Sequence, residues 1–309
     1  MADFTTTITD AGVLDADELT IFSNYVIFAA TPELVVDQAV TVRDFGNTKT
    51  FQWAKYSALA VPSALSDGVD PTSAALSDSS VTVTPAEEGN VVTLAKLADI
   101  QSGLKANAAS LRLCGINMGR TKDVRGITTL EGATTNVIYP NDVAATTSLS
   151  TADVLDRLFA NRLYNKLARA NVPGISGTYI GIAHDDCLHD LRQDASNGGW
   201  IDVSKYADPQ SALRNEVGQY AGIRWLRSGN TTVTDGGGAG NIDSYEVQVV
   251  GDNALGYAAN EEPHLVLSCP YDKLLRFVNI GWFGIFAYKM IDESNAVTGD
   301  CASTVGANS

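Results

Sequence analysis

The segment SALAVPSALSDGVDPTSAALSDS, residues 57–79, most limits what this chain can fold into. It is rich in Ser, Asp, Pro and Gly, holds no lysine and carries few large side chains. Strand-forming stretches flank it. In TVRDFGNTKTFQWAKY (41–56), a period of two puts Thr48, Thr50 and Gln52 on one face and Lys49, Phe51 and Trp53 on the other. SVTVTPAEEGNVVTLA (80–95) alternates at Val81 and Val83 and continues through Val91 and Val92. Two strands joined by so long a polar tip make a projecting hairpin. A structureless loop of this length is uncommon inside a compact domain. The hairpin is therefore predicted to reach a neighbouring subunit, with Phe51 and Trp53 supplying apolar contact at its base.

The remaining elements follow without regular βαβ alternation, which favours an α+β fold over a doubly wound sheet. DADELTIFSNYVIFAA (15–30) fits a short helix capped by Asp15, and Pro32 suits the first turn of another helix in TPELVVDQAV (31–40). In KLADIQSGLKANAASLRLCGINMGRT (96–121), Leu97, Ile100, Leu104, Ala108, Leu111 and Met118 share one face of a helix about 36 Å long. GITTLEG and IYPNDV read as turns. STADVLDRLFANRLYNKLARANVPG (150–174) reads as a second helix, with a Ser150/Asp153 capping box and a stripe of Leu155, Leu158, Phe159, Leu163 and Leu167. Pro173 and Gly174 stop it. TYIGIA, SYEVQVVG, HLVLSC and the aromatic run LLRFVNIGWFGIFAYKMID (274–292) read as strands. ALRNEVGQYAGIRWLRS (212–228) reads as a helix turning into a strand at Gly222, and AVTGDCASTVGANS (296–309) as a small, polar tail.

Of the 309 residues 45% are hydrophobic, which is globular rather than disordered, and the net charge of −15 disfavours a dedicated nucleic-acid-binding module. No apolar run approaches the ~20 residues that span a bilayer. MADFTTTITDAG lacks a basic start and an apolar segment, so a chain made and kept inside a cell is expected. Cys114, Cys187, Cys269 and Cys301 are widely spaced without a CxxC pair, as expected of reduced, mostly buried thiols rather than structural zinc.

HDDCLHD (184–190) is the stretch richest in reactive side chains. It follows a strand and precedes LRQDAS, so Asp185 or Asp186 suits the N-cap or acidic first turn of a helix. Asp190 and Asp194 then face outward, with Leu188 and Leu191 inward. His184 and His189 are five apart, whereas a helical zinc motif needs histidines at i and i+4. A helix start is the favoured reading, and a metal or catalytic cluster the rival. GGGAGN (236–241) lacks the Lys-Ser/Thr of a phosphate loop and reads as a hairpin loop. Glu87–Glu88, Glu261–Glu262 and Asp292–Glu293 read as solvated turns, and no G-x-S-x-G elbow is present.

Taken in order, several stretches resemble the major capsid proteins of tailed phages, in the N4-like capsid family with the Hong Kong 97-type fold. They are PELVVDQAV and GNTKTFQWAKYSAL, then SSVTVTPAEEGNVVTLAKLAD, GIAHDDCLHDLRQD, GWIDVSKYAD and NEVGQYAGIRWLRS, then VVGDNALGYAA and FVNIGWFGIFAYKMID. Asp185 stands where that family often has a proline. The resemblance implies an N-terminal arm (1–45), an extended loop (46–95), a peripheral domain with a spine helix (96–149), an axial domain (150–260), and a return to the peripheral domain with a C-terminal tail (261–309). It implies a shell subunit, not an enzyme, that assembles as pentamers and hexamers into an icosahedral head around double-stranded DNA. Assembly would take place in the host cytoplasm and the product would reside in the virion. The implied partners are copies of itself, scaffold, portal and decoration proteins, and packaged DNA through weak non-specific contact, with no membrane. No catalytic, cofactor or metal residue is expected. Phe51, Trp53, Glu216 and Arg224 are the assembly candidates; the last two form a charged pair around a Gly-containing turn. The alternatives are a nanocompartment shell of the same fold, encapsulin-like, or a metal-dependent hydrolase using residues 184–190.

Overall fold

The computed structural model describes residues 34–56, 59–62, 64–65, 67–68, 70, 73–97, 106–193, 216–268, 274 and 276–305. The helix read at 15–30, most of GWIDVSKYAD's surroundings (194–215), Asp194 and Cys269 lie outside them. Three sheets organise the chain. Strands β1 (Val40–Phe45), β11 (Leu255–Ser268), β12 (Phe277–Met290) and β4 (Ala86–Ala95) form a four-stranded sheet in that spatial order. Only the β1–β11 pairing is parallel. A second sheet runs β5 (Val137–Ile138), β13 (Ala296–Cys301), β10 (Ser244–Val250), β6 (Tyr179–Ala183), β8 (Ile223–Arg227) and β7 (Glu216–Tyr220), with β9 (Val233–Thr234) on β10. The third is the two-stranded ribbon of β2 (Phe51–Tyr56) and β3 (Asp78–Val83).

The stretches 41–56 and 80–95 each split in two. β1 and β4 enter the four-stranded sheet, while β2 and β3 leave it as the ribbon. TPELVVDQAV does not continue as an α-helix. Among its described residues it makes a single 3-10 turn, Val36–Gln38, and then starts β1.

The long helix α1 spans Ala106–Glu131, ten residues beyond the end expected from the sequence. GITTLEG is helical, not a turn. Gly126 does not break the helix because it is a close-approach site: a Cβ there would lie 2.3 Å from Val36 Cγ1. The helical stripe keeps Leu111 and Met118 of the expected one, while Ile100 and Leu104 lie outside the described residues. Leu111, Cys114, Met118, Ile127 and Leu130 are buried, while Ala108 and Leu97 are exposed. These side chains pack with Ile280, Trp282 and Phe286 of one sheet and with Ile180, Ile182, Leu226 and Val250 of the other. α1 thus joins the two large sheets through one core. Each fully buried aliphatic side chain contributes about 1.5–3 kcal/mol.

The opposite face of the larger sheet is covered by α2 (Arg157–Arg169) and α3 (Asp185–Gln193). The predicted start of α2 is corrected by seven residues. Ser150 does donate N–H and hydroxyl to Asp153 Oδ2, at 2.8 and 2.7 Å, but this closes a turn; Asp156 is the cap, accepting from Phe159 N. Leu158 consequently faces solvent. Residues 216–228 form a hairpin rather than a helix running into a strand. Ala221 and Gly222 both have positive φ, 53° and 76°, as a two-residue turn between antiparallel strands requires. The expected polar tail is likewise corrected. Residues 296–301 are all buried as β13, paired with β10 on one side and β5 on the other. Their small side chains suit the site, since Gly299 lies directly under Phe159 and Leu163.

At the middle of α1, Lys122 and Asp123 are 7% and 1% exposed. Asp123 Oδ1 accepts from Val35 N and Val36 N, both at 3.0 Å. Its Oδ2 accepts from Ser228 Oγ at 3.1 Å and Asn230 Nδ2 at 2.8 Å. One carboxylate thereby holds the N-terminal segment and the loop after β8 to the helix. Asp123→Ala strands four donors in a dry site and is expected to cost about 3 kcal/mol or more. The check is a lowered urea midpoint with an unchanged m-value.

Candidate assembly surfaces

The ribbon β2–β3 is anchored at one end only. Its register runs from Phe51↔Val83 to Tyr56↔Asp78, and every described residue from 59 to 77 is exposed, Val61 at 94%. Tyr56, Leu59, Leu65 and Leu76 are exposed apolar groups on it. Asp67, Asp70 and Asp78 are its charges, with no cation between residues 57 and 79. At the base, Trp53 turns inward. It is buried against Val83 and Ala258, lies over Gly256, and donates Nε1–H to Asp44 Oδ2. Phe51 is half-buried beside it. Lys55 reaches Asp292 in an ion pair. Trp53 therefore fastens the ribbon to its own subunit.

The outer face of the four-stranded sheet carries a second apolar area. Val266, Gly281 and Val91 align across β11, β12 and β4. Val91, Val266 and the nearby Phe277 are exposed, as is Leu113 on α1. Nothing in the sequence periodicity separated these from core positions, because β4 and β12 alternate between a face under α1 and a face left open.

Arg224 is half-buried on β8. Its Nη2 donates to Gln38 Oε1 at 3.1 Å, in the segment held by Asp123, and its register partner is Gln219. Its Nε is buried and without an acceptor among the described residues. Glu216 stands opposite Leu226, two positions along β8 from Arg224; its side chain lies outside the described residues.

The HDDCLHD side chains diverge. His184 precedes α3, and its Nδ1 accepts from Asp186 N at 3.3 Å, while Asp185 and Asp186 occupy the acidic first turn. Asp186 Oδ2 accepts from Tyr245 Oη at 3.0 Å. Cys187 points into the core against Cys301. His189 lies outside, beside Gln193. Asp190, expected on the outer face, is buried and accepts from Thr304 N at 3.0 Å and from its hydroxyl. The helix start is as expected, and one acid of the run serves to dock residues 302–305 on α3. Among the described residues, no three His, Cys, Asp or Glu side chains converge at metal-binding range. The GGGAGN loop is a hairpin connection between β9 and β10, closed by Gly238 N to Ile242 O and by Ala239 N to Leu149 O, at 2.7 and 2.8 Å.

On the sheet face at the end of α1, Glu246, Asp300 and Glu131 gather. Burial, reinforced by the charges of Glu131 and Asp300, pushes the Glu246 carboxyl up to about 7. Burial also raises Asp300, against the opposing hydrogen bond from Thr146.

No protein-family model and no curated sequence matches the chain. Solved structures do. The capsid of Ralstonia phage GP4 superposes with a TM-score of 0.70 at 11% identity, over 98% of this chain and 99% of that one. The capsid asymmetric unit of cyanophage Pam1 gives 0.64 at 12% identity, over 98% and 99%. The head of Helicobacter pylori bacteriophage KHP40 gives 0.60 at 11% identity, over 85% and 89%. The chain has the Hong Kong 97-type fold of these capsids.

A carboxyl whose pKa is raised by folding opposes folding when ionised, so Glu246 lowers stability above pH 7. That penalty fades as pH falls from 7 toward the ordinary carboxylate value near 4.5. Glu246→Gln is expected to stabilise the subunit at pH 8, by on the order of 2 kcal/mol. It should also flatten the rise in stability between pH 7 and pH 5; urea titrations at the three pH values check both.

Proposed function

We propose that this chain is the major capsid protein of a tailed phage, a shell subunit that assembles as pentamers and hexamers into an icosahedral head around double-stranded DNA. The observation that carries the reading is the end-to-end likeness to phage capsid structures, together with a ribbon whose acidic, apolar-studded tip is exposed at every described residue from 59 to 77. Fixing each tip residue costs roughly 1–2 kcal/mol of backbone entropy, which the isolated subunit does not offset. Contact with a neighbour supplies the compensation. Each such contact is weak, but many symmetric copies acting together make the shell persistent.

In this reading residues 1–45 are the arm, 46–95 the extended loop, 96–149 the peripheral domain with its spine helix, 150–260 the axial domain and 261–309 the return. Placement in the N4-like family rests on the sequence resemblance. Phe51 and Trp53 act in assembly indirectly, by setting the direction of the ribbon. Glu216 and Arg224 brace the β7–β8 turn or a contact between subunits; ion pairs of exposed side chains contribute ~0–1 kcal/mol. Scaffold, portal and decoration proteins are the further partners. Packaged DNA is touched only weakly and non-specifically, as a chain of charge −15 requires. The protein assembles in the host cytoplasm and remains in the virion, without catalytic activity.

Electron micrographs of the expressed protein test the reading. Closed shells support it and monomers under all conditions overturn it; DNA of one length inside purified particles separates a phage head from the nanocompartment alternative. Replacing residues 57–78 by a short Gly-Ser turn is expected to give soluble, folded subunits or capsomers that do not close; closed particles from that variant would show the ribbon to be dispensable. Lys49 and Lys55 lie outside the tip and Lys55 is paired with Asp292. Mature particles are therefore expected to run as single chains on a denaturing gel, without a ladder of linked subunits.

A further inference from the structure

We propose that Cys187 and Cys301 are a disulfide-forming pair that peroxide converts from two thiols into a covalent latch between α3 and β13. The two residues are 114 apart in sequence, yet their sulfurs are 3.6 Å apart. Both side chains are 0% exposed and belong to one core cluster. A disulfide needs the sulfurs at about 2.05 Å, so they must approach by roughly 1.5 Å. The surrounding backbone is already docked. Ala302 N donates to Asp153 O at 2.8 Å, and Thr304 N donates to Asp190 at 3.0 Å on the same helix that bears Cys187.

Burial selects the oxidant. Neither sulfur touches solvent, so an oxidant reaches the pair only through local opening of the core, which favours hydrogen peroxide over a bulky disulfide reagent. One thiolate attacks a peroxide oxygen; the O–O bond breaks, the sulfur becomes a sulfenic acid and water leaves after protonation. The second sulfur attacks the sulfenic sulfur; the S–S bond forms, the S–O bond breaks and a second water leaves. Two thiols and one peroxide give one disulfide and two waters. Burial, with Cys301, Asp190 and Asp186 close by, pushes the Cys187 thiol well up, which keeps the reaction slow in the folded subunit. A reducing cytoplasm preserves the thiols. Outside the cell the latch can close, a timing that rests on the capsid reading, although the chemistry belongs to the folded subunit alone.

The test uses the purified full-length chain. It is incubated with hydrogen peroxide, its remaining thiols are alkylated, and it is digested without reductant for mass spectrometry. The expected main product is a peptide pair joined through Cys187 and Cys301, cleaved by reductant, with the thermal midpoint raised by about 5 °C. In Cys301→Ser, Cys187 is expected to stop as a sulfenic acid that dimedone traps. Separate sulfinic acids on the two cysteines, or links from either to Cys114 or Cys269, would overturn the proposal. So would both thiols staying unmodified at peroxide levels that oxidise them in the urea-unfolded chain. Because the measurement needs no assembled particle, its failure is distinguishable from failure to form shells.

Discussion

The buried Lys122–Asp123 step in α1 is the constraint on which the arrangement of sheets depends. Removing two charges from water is costly unless each finds partners. Asp123 finds four donors from two distant segments, while Lys122 lies 3.5 Å from Asp37, 3.6 Å from Glu262 and over the ring of Tyr257. Tyr257 and Tyr288 donate their hydroxyls to Glu262 and Asp37, and burial beside those acids holds both phenols protonated well beyond their usual range. A single helical turn thereby fixes the segment 34–45, the end of β8 and the bend in β11. Gly126 lets Val36 sit flush on the same helix, one turn further on. Apolar packing makes α1 adhere to the sheets, but these charges determine where along the helix each neighbour stops.

Much of this was legible in the sequence, and the losses have physical causes. Alternation and aromatic content located β2, β6, β10 and β12, and the long polar insertion revealed the ribbon. Periodicity located α1 and α2 but not their ends. A glycine inside α1 reads as a stop unless one knows that Val36 covers it. The Ser150–Asp153 motif reads as a helix cap unless one knows that Val154 bridges to Ala302. β13 was read as tail because its residues are small. They are small because Phe159 and Leu163 fill the space above them, a demand imposed by a helix more than 130 residues away. The β7–β8 hairpin was missed because its Ala-Gly turn is weaker than Asn-Gly, and the strands' burial depends on β6.

HDDCLHD shows how reactive residue types are absorbed by architecture. A strand that ends inside a core and turns directly into a helix needs a cap, an acidic first turn and inward apolar positions. His184, Asp185 and Asp186 meet the first two needs, and Cys187, Leu188 and Leu191 the third. Asp190 alone escaped the pattern, since only the tertiary fold brings Thr304 to it.

The placement of β13 also bears on when the subunit can become whole. The strand lies between β5 and β10, so the larger sheet pairs residues near position 137 with residues near 298. Contacts of such sequence separation make for slow folding, since the chain closes large loops before any of them is rewarded. A nascent chain still lacking residues 296–301 presents the bare edges of β5 and β10, which are templates for mispairing with another chain. On the ribosome both large sheets are completed late: the four-stranded sheet needs β12, which ends at Met290, and the larger sheet waits until translation has passed Cys301. Crowded synthesis on polysomes makes that interval the step at which the cell's chaperones have a substrate to shield.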